Sequence, residues 1–91
     1  MPRVDPDFSY IFFSAFRAWG QAYGELLSAW CTLRRALARL EMAWQGDQAE
    51  DFLLEGNRLL SQLWDRGEEL YRMGLDLCNT YKEIERLYTL L

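Results

Sequence analysis

Trp44-Gln45-Gly46-Asp47 is the stretch where one long apolar rhythm stops and another starts, and its reading decides the fold. Gly46 has no Cβ to clash with the following carbonyl, so it can take the left-handed conformation that ends a helix at its C′ position. Asp47 is expected to cap the next helix through its side-chain oxygen, and Glu50, three residues on, completes an Asp-x-x-Glu variant of the capping box. A stop signal directly followed by a start signal predicts an all-α antiparallel hairpin. Helix 1 should span about 6–45, the turn about 45–47 and helix 2 about 48–90, in one domain covering 1–91.

Upstream of the turn, Phe12, Phe16, Trp19, Tyr23, Leu26, Trp30, Leu33, Leu37, Leu40 and Trp44 follow one another at spacings that alternate four and three. This is a heptad seam. Beside it Ala15, Ala22, Ala29, Ala36 and Ala43 recur every seventh residue, a flank with so little side chain that another helix can approach closely. Phe13 and Leu27 widen the stripe on the other side. Further upstream, Asp5-Pro6 reads as a helix start, with Asp5 as N-cap and Pro6 at the first helical position, where the N–H it lacks would have no helical partner.

Downstream of the turn the most regular row is Gly56, Leu63, Leu70, Leu77, Ile84 and Leu91. Phe52, Leu59, Met73 and Leu87 flank it on one side, and Leu60, Gly67, Gly74, Tyr81 and Tyr88 on the other. Both helices therefore carry faces broader than the narrow seam of a two-helix contact, as in the core of a four-helix bundle. Gly56, Gly67 and Gly74 each cost about 1 kcal/mol against Ala inside a helix. Either close interhelical contact compensates, or the glycines only loosen the helix; Gly20 and Gly24 pose the same alternative in helix 1.

Composition points the same way. Of 91 residues 51% are hydrophobic and 15% aromatic, more than two helices can hide by facing each other, so a partner is implied. A net charge of -4 argues against binding nucleic acid through counterion release. No apolar run approaches the ~20 residues of a membrane-spanning helix, and the first six residues lack the apolar core of a secretory signal. In the predicted hairpin Cys31 and Cys78 are separated by more than ~20 Å along the axis, which excludes an intrachain disulfide, and each is expected to be a small buried hydrophobe.

Chemistry-bearing patterns are missing. The chain has no His, no Cys-x-x-Cys and no Gly-rich phosphate loop, so it reads as a non-enzyme without metal or cofactor. Glu50-Asp51 and Glu68-Glu69 are expected to be solvated helix faces. Asp7 to Gln45 carries four Arg against Asp7, Glu25 and Glu41, whereas Asp47 to Leu91 carries ten acids and five bases; these opposite signs could set helix pairing and register. Arg34, Arg35 and Arg39 lie towards the end of helix 1, where cations favour the helix dipole. Trp44 ends the seam and covers the open end of the bundle; it is also well placed as a binding anchor, and the two roles are compatible.

Trp44-x-Gly46, Ala49 just inside the next helix and Phe52 eight residues after the Trp resemble the turn of the WXG family, the small ESAT-like substrates of bacterial type VII secretion. Tyr81-Lys82-Glu83-Ile84-Glu85 resembles the Tyr-x-x-x-Asp/Glu export signal of the same substrates. The resemblance covers nearly all of the chain. It implies a secreted or secretion-associated binding protein, with Trp44 and Gly46 as a recognition motif and Tyr81 and Glu85 as an export signal. Export would follow the type VII route from the cytoplasm. Partners would be a second copy (favoured) or a similar hairpin, the secretion machinery and, in an alternative reading, the helical leader of a larger toxin that this chain chaperones. An antiparallel dimer would place the turn motif of one subunit beside the export signal of the other, as one composite mark. A structural coiled-coil adaptor unrelated to secretion is the reading from a different class.

Overall fold

The computed structural model describes the backbone of residues 5–89 and the side chains of residues 5–87; Tyr88 and Leu91, which end two of the rows above, lie outside the described side chains. Two long helices, α1 (Phe8–Ala43) and α2 (Asp47–Thr89), pack side by side as an antiparallel hairpin, with no strand among the described residues. The molecule measures 68 × 18 × 15 Å, and its radius of gyration of 20.2 Å far exceeds the roughly 12 Å of a compact chain this long.

The start of α1 differs from expectation. The Asp5 carboxylate accepts a hydrogen bond from Asp7 N–H at 2.8 Å, and Phe8 N–H donates to the Asp5 carbonyl at 2.9 Å. That local turn uses Asp5 and Pro6 before the helix begins, so α1 starts at Phe8, with Asp7 as N-cap but without a side-chain capping bond.

Along the contact between the helices, Phe12 lies level with Tyr81, Trp19 with Gly74, Leu26 with Gly67 and Leu37 with Gly56. The contact row of α2 is therefore Leu53, Gly56, Leu60, Leu63, Gly67, Leu70, Gly74, Leu77, Tyr81 and Ile84, all buried or half-buried. What reads in sequence as one flank (Leu60, Gly67, Gly74, Tyr81) is half of the seam itself. The glycines make room for large α1 side chains: a Cβ at 56 would come within 2.8 Å of Leu37 Cδ2, one at 67 within 2.9 Å of Leu26 Cδ2, and one at 74 would overlap the Trp19 ring. Trp19 Nε1 donates to the Leu70 carbonyl at 2.6 Å from that recess. Gly20 and Gly24 face open space, so close packing explains the α2 glycines and not these two.

Candidate interaction face and turn

Gly46 has φ +116, a conformation L side chains rarely adopt. The helix ends form differently from the predicted caps. Trp44 is the extended C-cap of α1, its N–H bonded to the Leu40 carbonyl at 2.9 Å. The Gly46 carbonyl accepts from Glu50 N–H at 3.0 Å, so Gly46 starts α2 and Asp47 is already its first helical residue. Asp47 and Glu50 thus act on the helix through charge in its first turn instead of closing a capping box. Beneath the turn Ala49 is only 1% exposed, a small residue where a larger one would push the helices apart. The Trp44 ring leans on Phe52, centroids 5.8 Å apart, and leaves part of its surface in solvent.

Tyr81 and Glu85 sit near the other end of the hairpin, roughly 50 Å from Trp44 along the axis. The Tyr81 ring is embedded among aromatics, with centroids 4.6 Å from Phe12, 5.3 Å from Phe13 and 6.2 Å from Phe8, while Glu85 is exposed. Within one chain the two motifs do not meet.

Of the predicted seam, Phe12, Phe16, Trp19, Tyr23, Leu26, Trp30, Leu37 and Leu40 do face Leu63, Leu70, Leu77 and Ile84. Leu33 does not belong with them: it is 38% exposed, on the edge nearest the alanine row. Phe8 and Leu53 are contact residues that extend the same spacings by one step at each end and could have been read from them.

Two faces of the hairpin remain. Leu27 of α1 and Trp64 of α2 lie together on one of them, with Tyr23, Trp30 and Glu68. Charged groups cap the aromatics there: Arg34 lies 5.3 Å over the Trp30 ring, and Trp64 Nε1 donates to Glu68 at 2.9 Å. Trp30 Nε1 is buried without a hydrogen-bond partner. The opposite face carries Ala15, Ala22, Ala29, Ala36 and Ala43 from α1, with Leu33, and Phe52, Leu59, Met73 and Leu87 from α2, every one exposed. Arg66 and Thr80 complete the α2 row. Shallow grooves run along both helices on this side, one lined by Ala29, Leu33 and Ala36 and the other by Met73, Leu77 and Thr80.

The ion pairs found among the described residues do not join α1 to α2. Arg58–Glu55, Arg66–Glu69, Arg72–Glu68 and Arg86–Glu83 are ion pairs local to α2. The Arg58 hydrogen bond holds the Glu55 carboxyl below its ordinary pKa, and Glu55 raises that of Arg58. None of Arg34, Arg35 and Arg39 lies in the last turn of α1, so the dipole does not account for them. Cys31 is exposed, contrary to expectation, Cys78 is half-buried, and both are free thiols. Among the described residues no group of three potential ligands could hold a metal ion, and no helix is long and apolar enough to cross a membrane. No protein-family model, curated protein or solved structure matches this chain.

Proposed function

We propose that this chain is a small secreted or secretion-associated binding protein of a bacterial type VII secretion system, working as a dimeric four-helix bundle. The observation that carries the reading is the open face. The whole chain exposes 7696 Å², against roughly 5,500 Å² for a compact monomer of 10.8 kDa, and Leu33, Phe52, Leu59, Met73 and Leu87 on the open face are among the large apolar residues it leaves in solvent. A hairpin of this kind is half of a bundle, and a similar hairpin is the natural cover. The secretion part rests on the resemblance of the Trp44-x-Gly46 turn and of Tyr81 to Glu85; the strained Gly46 and the tightly covered Ala49 support the former as a built element.

Export assays in the native host test it. Trp44→Ala is expected to abolish export of a folded protein. Because the Tyr81 ring packs against Phe12, the second motif is best probed by Tyr81→Phe with Glu85→Ala, which keeps the ring and removes both polar ends. Normal export of either folded variant would remove the signal role of that motif and leave its residues as packing residues, and failure of the unaltered chain to be exported would remove secretion from the reading. The same open face also favours the chaperone alternative, since an amphipathic leader helix fits it as a second hairpin does. A neighbouring toxin gene, and a chain that stays in the cell bound to that toxin, would select it.

A further inference from the structure

We infer that the face opposite the alanines is a groove for one α-helix of another protein, apolar along its middle and carrying carboxylates near both ends. The groove lies on the side turned away from the alanine row, so it stands whether or not a second hairpin covers that row. Its walls are unequal. By the levels that pair Trp19 with Gly74 and Leu26 with Gly67, Gly20 and Gly24 of α1 stand within two residues of Tyr71 of α2. Both glycines are exposed, and a Cβ on either would meet nothing within 4 Å. On the α2 wall Trp64, Tyr71 and Leu75 are 45%, 47% and 48% exposed.

Glycine inside a helix is unfavourable, and in α2 that cost is offset because Trp19, Leu26 and Leu37 fill the space the glycines leave. No side chain of this chain does so at Gly20 and Gly24. One turn of bare backbone beside a wall of aromatics lets an incoming helix lean over the glycines and lay its apolar side on Trp64 and Tyr71, small against large. The floor is aromatic too. Tyr23 lies 5.8 Å from Tyr71 and Trp30 lies 5.0 Å from Trp64, measured between ring centroids. Clefts of about 280 Å³ and about 30 Å³ surround these two pairs and share Tyr23 and Glu68, so they form one continuous depression. Trp, Tyr and Arg, the side chains gathered here, are the ones that concentrate binding energy at protein interfaces.

Charge selects the occupant. Arg17 and Arg34 stand at the two ends of the glycine stretch, about 25 Å apart along α1. Among the described residues neither pairs with a carboxylate; Arg34 rests over the Trp30 ring, whose Nε1 is buried without an acceptor. Glu68, the acid that lines the groove, is already engaged by Trp64 Nε1 and by Arg72. Glu41, Glu50 and Glu85 lie in the same rows but beyond the two arginines. The free polar groups of the groove are therefore donors and cations, which carboxylates complement. A second copy offering this same face brings only the same arginines and the engaged Glu68, hence no free carboxylate, so the partner is a chain of different sequence. A helix long enough to reach both arginines has about 17 residues.

Two fluorescein-labelled synthetic helices of about 20 residues test it, each with a leucine stripe, one ending in Glu on both sides and the other in Lys. Their binding to the full chain is read by fluorescence anisotropy. The Glu-ended helix should bind one per chain, about tenfold more tightly than the Lys-ended one. Gly20→Leu with Gly24→Leu fills the notch while favouring the helix, and should abolish binding with circular dichroism unchanged. Arg34→Glu should weaken binding about tenfold, whereas Arg35→Glu, a charge reversal outside the groove, should not. Absence of binding, equal binding of the two helices, equal effects of the two Arg changes, or binding that survives the double Leu change would each overturn the groove. Sedimentation of the same samples reports self-association separately. A Glu-ended helix that splits a dimer would sit on the alanine face and would overturn the groove as well.

Discussion

Gly74 and Gly20 are the same residue type in similar helices, yet substituting them should have opposite effects. At Gly74 a methyl group would strike the Trp19 ring, so Gly74→Ala should lower stability by about 1–2 kcal/mol, overpacking outweighing the gain in helix propensity. Gly20 faces open space, and Gly20→Ala should raise stability by up to about 1 kcal/mol. Thermal melts followed by circular dichroism check both, and a stabilising Gly74→Ala would mean that Trp19 does not occupy the recess. Gly46→Ala should cost about 1–3 kcal/mol in the same assay, because φ +116 is strained for any side chain. The turn was legible in Trp44-Gln45-Gly46-Asp47 because glycine at a break in two apolar rhythms has few other uses. Which residue capped which helix was not, since the same Gly-Asp pair allows Asp47 to stand either before the helix or as its first residue. The glycines of α2 could be recognised as an anomaly from sequence, but only packing separates Gly74 from Gly20.

At the scale of the helices, the seam of α1 is readable because its four-three spacing admits one buried stripe, and the structure places all of it but Leu33 against α2, Trp44 through Phe52 with part of its surface in solvent. The stripe of α2 is wider, with three adjacent apolar rows of which two form the contact; periodicity alone does not say which two. Large α1 side chains select the glycine-bearing pair, leaving Phe52, Leu59, Met73 and Leu87 outside. Leu33 then becomes informative. Leu33→Asp should dissociate the bundle, because a carboxylate at an apolar interface goes unpaired at a cost of several kcal/mol, while much of the helicity of the hairpin survives. Arg35→Asp, on the solvent side of α1, should leave the mass unchanged. Analytical ultracentrifugation with circular dichroism separates the two, and identical behaviour would show that the face beside Leu33 is not an interface.

At the scale of the whole molecule, a rod 68 Å long and one helix pair thick has an inside only along a line. Leu37, Ala49 and Leu60 are the buried apolar side chains among the described residues, which is too little to hold the helices together against the entropy of ordering them. The composition already implied this, since a hydrophobic share of 51% is more than two helices can hide by facing each other. What fills the missing half of the core was not legible, because a second copy and a foreign helix present the same apolar chemistry to the open face. This chain is proposed to complete its core with another hairpin, and sedimentation equilibrium of the purified protein at micromolar concentration reads whether it does. The expected mass is twice the 10.8 kDa of one chain, with loss of helicity as dilution dissociates the species. A cooperatively folding monomer at that concentration would contradict it.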